Sequence, residues 1–139
     1  MRSRSAAFVD SWLRRRANAP DAALLAQEAL DVLWSRARRS LTELSLQALA
    51  RNALECAARD FPSLADVRVT HRGFELGVAA EAPPAEVRAA LGGLLVEILA
   101  LIEETSGAIL APALEGELLR VTGGRRTSPP GGMRPVAGG

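Results

Sequence analysis

The chain has 139 residues, of which 48% are hydrophobic, and its formal net charge is +1 at pH 7. This length accommodates one domain with flanking segments, and the apolar content is sufficient for a hydrophobic core. Cys56 is the single cysteine, which excludes a disulfide framework and a multi-cysteine metal site and favours the reducing cytoplasm.

Three helices are predicted in the first 60 residues. Apolar positions repeat at helical spacing over residues 5–18 and again from about Pro20, a residue that suits the first turn of a helix. Ser40-Leu41-Thr42-Glu43 has the form of a capping box with Ser40 as the N-cap. We therefore expect a break near Ser40 in what would otherwise be one helix over residues 21–60.

The helix after Ser40 has two apolar faces, so we expect other elements to cover it on both sides. One face contains Leu41, Leu44, Ala48, Leu49, Asn52 and Cys56, and the other contains Leu46, Ala50, Leu54 and Ala57.

A change of period after Pro62 predicts a β-hairpin. Val67 and Val69 alternate with polar residues, and so do Phe74, Leu76 and Val78. The intervening His71-Arg72-Gly73 predicts a short loop in which Gly73 takes a positive φ. Because an isolated hairpin is barely stable, its apolar face should pack on the helices.

The strongest pattern predicts an amphipathic helix over residues 84–105, with a last helix over 109–121. The core stripe of the first consists of Val87, Leu91, Leu94, Leu95, Ile98, Leu101 and Ile102. Arg88, Glu97, Glu103 and Glu104 interrupt the same stretch, so we expect no membrane insertion.

The predicted fold is therefore a predominantly helical α+β domain in the order α-α-α-β-β-α-α, with one antiparallel β-hairpin packed on a helical bundle. Residues 1–19 form an N-terminal helix that can serve as a docking arm, and residues 20–121 form the compact domain. Residues 122–139 consist mostly of Gly, Pro, Ser, Thr and Arg, a composition typical of a disordered tail.

The back of the 84–105 helix contains a stripe of small residues that we interpret as a partner-binding surface. Adjacent mid-helix glycines are costly, and close approach of a helix from a partner or a second copy would explain them. The predicted contacts are Ala89, Gly92, Gly93, Val96 and Ala100, together with Phe8 and Trp12 of the N-terminal helix. We expect Gly93→Leu to abolish association while the monomer stays folded.

No pattern of catalytic residues, metal ligands or cofactor contacts is found. His71 is the single histidine, and a Cys–His pair would require the hairpin tip to fold over the helix that contains Cys56. Scattered acidic residues have no metal-ligand spacing, and Gly92-Gly93 lacks the context of a phosphate-binding loop. We expect no enzyme activity, no cofactor and no metal.

Residues Leu94–Leu99 and Thr105–Leu110 resemble helical input modules attached to prokaryotic signalling proteins, but they include no diagnostic motif and assign no residue a role. The predicted function is a cytoplasmic protein–protein interaction or regulatory module, with a homodimer as one form of partner and nucleic acid disfavoured. The first alternative is a DNA-binding regulator that uses Arg36, Arg38 and Arg39. The second is an enzyme or small-ligand-binding domain with a pocket beneath the hairpin.

Overall fold

A computed structural model describes residues 2–18, 20–106 and 110–121 of the chain. The predicted order of five helices with one antiparallel hairpin is confirmed, and two short 3-10 helices are added to it. The elements are α1 (Arg2–Arg15), α2 (Ala22–Ala37), α3 (Glu43–Ala58), the first 3-10 helix (Pro62–Asp66), β1 (Arg68–Thr70), β2 (Gly73–Glu75), the second 3-10 helix (Gly77–Glu81), α4 (Pro84–Ser106) and α5 (Leu110–Leu118).

Helix α4 is the centre of the molecule, and α1, α2, α3 and α5 all pack against it. The predicted core stripe is buried except at Leu101, which is half-buried. Burial continues around the helix to Ala90, Leu99 and Ala100. An amphipathic helix normally keeps one face in water, so burial well beyond the core stripe makes α4 the element around which the others assemble.

Arginine side chains connect the ends of three helices. Arg88 of α4 donates to the carbonyl of Arg16 (2.9 Å), just beyond the end of α1. Arg16 in turn donates to the carbonyl of Leu119 (2.9 Å), beyond the end of α5. Carbonyls at a helix C-terminus lack intrahelical donors, so each guanidinium satisfies groups that the helix leaves open.

Trp12 fixes α1 to the same region. Its indole Nε1 donates to the carbonyl of Leu118 at 2.7 Å, and the side chain is fully buried. The Arg16 guanidinium lies 4.7 Å from the centre of the Trp12 ring. Burial, and then the charge of Arg15, lower the pKa of Arg16 from its ordinary value. Helix α1 therefore packs on the same core as residues 20–121.

The break near Ser40 is confirmed, but Ser40 as the N-cap is wrong. Thr42 is the N-cap of α3, and its side chain accepts from the Ser45 backbone N–H at 3.1 Å. Ser40 instead lies in the turn after α2, where its N–H donates to the carbonyl of Ala37. Likewise α2 begins with Asp21 as its N-cap rather than at Pro20.

The hairpin is shorter than its sequence pattern indicated. Thr70 pairs with Gly73 across a loop of His71 and Arg72, and Gly73 has the predicted positive φ, 127°. Beyond Glu75 the chain enters the second 3-10 helix, so Val78 is not in a strand and is 58% exposed. Phe74 packs edge-to-face on Trp34 of α2 (ring centroids 5.9 Å apart), which attaches the hairpin to the helices as expected.

The prediction that α3 is covered on both sides is wrong. Leu46, Ala50, Ala53 and Ala57 form its buried face. Leu44 is 82% exposed, and Ala48 and Asn52 are exposed on the same side. Alanine and leucine are strong helix formers as well as core residues. Their high frequency in α3 therefore led to a prediction of a wider buried face than the structure has.

The two tryptophans provide a matched test of the Trp12 hydrogen bond. We expect Trp12→Phe to lower the free energy of unfolding by about 1–2 kcal/mol more than Trp34→Phe, because the Leu118 carbonyl loses a donor. Trp34 Nε1 is buried without a hydrogen-bond partner in the part of the chain described, so its removal breaks no such bond. Urea unfolding of both variants measures the difference, and equal losses would contradict this account.

Candidate functional site

The small-residue stripe of α4 is occupied by the chain itself. A Cβ atom built on Gly92 would lie 2.8 Å from Leu13 Cδ1 of α1. One built on Gly93 would overlap Cε2 of the Phe61 ring and lie 2.7 Å from its Cδ2. The close approach that the glycines indicate is therefore present, but it comes from α1 and from the segment after α3.

The remaining stripe residues divide between buried and exposed positions. Ala89 is exposed and Val96 is half-buried, whereas Ala100 is buried. Of the two α1 residues, Phe8 is half-buried against the core and Trp12 is fully buried. Binding of a partner by this set stays a prediction, and it would require α1 to leave the position that it occupies here.

The three arginines of the DNA-binding alternative do not form one surface. Arg36 and Arg39 line a cleft of about 180 Å³ between α2 and α5, and Arg38 is exposed outside it. Asp31 and Glu117 line the same cleft. These carboxylates oppose the approach of a phosphate, so the cleft does not resemble a nucleic-acid interface.

His71 and Cys56 lie on different elements. His71 is exposed in the hairpin loop, and Cys56 is half-buried on α3 with its thiol 3.9 Å from Asn52 Oδ1. Over residues 2–18, 20–106 and 110–121, no three His, Cys, Asp or Glu side chains are grouped so that they could hold a metal ion. The apolar cavity beneath β2, beside Trp34 and Phe74, measures about 10 Å³, far below the roughly 300 Å³ of the smallest typical ligand pockets.

A shallow, open groove between α3 and β1 has a volume of about 470 Å³, larger than the cleft that Arg36 and Arg39 line. We name it the α3–β1 groove. Its lining consists of Arg51, Leu54 and Glu55 from α3, and of Val67, Arg68, Val69 and Thr70 from β1 and the residue before it. The groove thus combines aliphatic side chains with charges on both walls.

The β1 wall of the groove is an unpaired strand edge. Because the loop has two residues, Thr70 and Gly73 form a hydrogen-bonded pair, and Val69 and Phe74 form the next, non-hydrogen-bonded pair. The N–H and C=O of Val69 therefore point away from β2. On the opposite edge the Phe74 carbonyl accepts from Gln27 Nε2 at 3.2 Å, but no described residue bonds the outward groups of Val69.

Arginines lie on both walls of the groove. Arg51 is on α3, where its guanidinium donates to Gln47 Oε1 at 3.1 Å, and Arg68 is on β1. Among the residues with described positions, Arg51, Arg68 and Glu55 form no ion pairs. The lining of the groove thus contains two guanidinium groups and one carboxylate, and Glu75 of β2 lies opposite Arg68 in the strand pairing, outside this lining.

Sequence reasoning missed this groove because it expected the exposed side of α3 to be covered. Two signals were present: Arg51 and Glu55 interrupt the apolar pattern of α3, and Arg68 and Thr70 alternate with Val67 and Val69. Neither signal shows that these two segments face each other across a gap.

No family model, curated protein or solved structure matches the chain. Within the described residues, no helix is both long enough and apolar enough to cross a membrane.

The glycine contacts predict opposite effects of substitution in two helices. We expect Gly93→Leu to lower the free energy of unfolding by about 1–3 kcal/mol, because the new side chain overpacks against the Phe61 ring. Gly116→Ala of α5 should raise it by about 0.5–1 kcal/mol, since its Cβ meets no atom within 4 Å and alanine favours the helix. Both changes are measured by urea unfolding.

An unchanged stability of Gly93→Leu would contradict the described packing of Phe61 on α4. With the fold unaffected, Gly93→Leu could then be used to test whether the small-residue stripe mediates association.

Proposed function

We propose that the chain is a non-enzymatic, cytoplasmic protein–protein interaction module of a regulatory system, and that it binds a segment of a protein partner in the α3–β1 groove. The observation that supports this proposal is the coincidence of a 470 Å³ groove with the unpaired backbone of Val69 on its wall. The single cysteine agrees with a reducing compartment.

The dimensions of the groove favour a segment over a folded surface. Ligand sites typically measure about 300–1,000 Å³, and a groove between a helix and a strand edge is one of the recurring sites at which proteins bind peptides. Main-chain hydrogen bonds supply affinity in such sites, and side-chain pockets supply selectivity. Leu54 and Val69, which are half-buried, offer the aliphatic contacts that this mode requires.

The helix-face mechanism predicted from sequence has less support. Gly92 and Gly93 are covered by α1 and Phe61, and Glu97 and Glu103 already have interaction partners within the chain. A partner bound by the small-residue stripe would have to displace these contacts. Binding of a partner in the α3–β1 groove requires no such displacement.

Site-specific photo-crosslinking in the native cell tests the proposal. With p-benzoylphenylalanine at Arg51, on the groove wall, we expect one dominant crosslinked protein, mapped by mass spectrometry to one short segment. The same crosslinker at Arg38, which is exposed and lines neither the groove nor the cleft beside Arg36 and Arg39, should give none.

The captured partner is then purified and its affinity measured by calorimetry. We expect Arg68→Trp, which fills the groove, to weaken binding by at least about tenfold, or 1.4 kcal/mol. Arg72→Trp, in the neighbouring loop but outside the groove, should bind as the wild type does. Equal affinities of the two variants, or the same crosslinks at Arg51 and Arg38, would refute the proposed function.

A further inference from the structure

We infer that the ligand of the α3–β1 groove is an extended, acidic peptide segment that adds to β1 as a third strand and places a carboxylate between Arg51 and Arg68. This inference rests on the proposed function and specifies its partner by conformation and charge.

The extended conformation follows from the backbone of Val69. Its outward N–H and C=O both belong to this one residue and point to the outer side of β1, which is the arrangement that a neighbouring strand recognises. A helical ligand has its own backbone groups bonded internally and cannot pair with them. An extended segment satisfies both groups and extends the two-stranded hairpin to three strands.

The acidic character follows from the charges on the two walls. Arg51 projects from α3 and Arg68 from β1, so a carboxylate in the groove meets guanidinium groups from both sides. Guanidinium–carboxylate pairs form bidentate hydrogen bonds that are stronger than neutral ones. Glu55 repels a second carboxylate, so the groove favours a segment with one or two acidic residues flanked by aliphatic ones.

The chain's own residues 122–139 are a poor match to this surface. That segment contains three arginines and no acidic residue. Its charge has the same sign as Arg51 and Arg68, which disfavours its entry into the groove. A segment of another protein with the opposite charge is the better complement.

Two labelled hexapeptides test the charge selectivity by fluorescence anisotropy with the full chain. One contains two glutamates among four valines, and the other has lysines at the same two positions. We expect the glutamate peptide to bind at least about tenfold more tightly at low salt, with a difference that shrinks as the Debye length falls. Arg51→Ala and Arg68→Ala should each weaken its binding by about two- to fivefold, the range for exposed ion pairs, while Arg38→Ala leaves it unchanged.

The backbone contact is tested separately with two substitutions of Val69. Val69→Pro removes the outward N–H without breaking a bond to β2, and Val69→Ala shortens the side chain but keeps the N–H. We expect the proline variant to bind the glutamate peptide at least about fivefold more weakly than the alanine variant, near 1 kcal/mol for one hydrogen bond. Circular dichroism and urea unfolding of both variants establish that the fold is retained.

Three results would overturn the inference. They are equal or absent binding of the two hexapeptides, equal affinities of Val69→Pro and Val69→Ala, and competition by a peptide of residues 122–139. If the Arg51 crosslink identifies a partner whose segment is not acidic, this inference fails while the proposed function stands. If neither crosslink nor peptide binding is found, both fail.

Discussion

The structure depends on the burial of most of the circumference of α4. A helix can be surrounded in this way only if some of its neighbours approach its backbone closely, and Gly92 and Gly93 provide that space for Leu13 and Phe61. Two mid-helix glycines cost about 1–2 kcal/mol relative to alanine, a loss that burial of α1 and of the Phe61 ring offsets. The small residues of α4 are therefore required for α1 and Phe61 to pack closely against it.

The position of the α3–β1 groove follows from the same packing. Helix α3 uses its alanine-rich face on the core and leaves Arg51 and Glu55 directed outward. The hairpin is held by β2, through the Phe74 ring on Trp34 and the Phe74 carbonyl on Gln27. Because α2 contacts β2, the free edge of the two-stranded sheet is β1, and α3, which contacts β1, forms the opposite wall of the groove.

Periodicity was sufficient to predict the fold class and the order of the elements, because each element buries one face over several turns or residues. The sequence-based prediction was wrong where two neighbouring residues suit the same structural role. Ser40 and Thr42 both suit an N-cap, and only the turn after α2 decides for Thr42. The alternating pattern also continues to Val78, although β2 ends at Glu75, Leu76 is already in the αR conformation, and Gly77 has a φ of 58°. The groove was not predicted, because the apolar pattern of a segment indicates which of its faces is buried but not which segment lies across a gap from its exposed face.

Arginine has two separate roles in this chain, which contains no lysine. Arg16 and Arg88 donate to carbonyls at helix ends, where the planar guanidinium satisfies several acceptors at once and stabilises the bundle. Arg51 and Arg68 have no ion-pair partner among the described residues, and they flank a strand edge that would otherwise be a template for pairing with further copies. Two copies joined edge to edge at β1 would bring both pairs of guanidinium groups together, and this repulsion disfavours self-association there. The guanidinium groups that disfavour pairing of two copies at the β1 edge are thus the same groups that select an acidic strand.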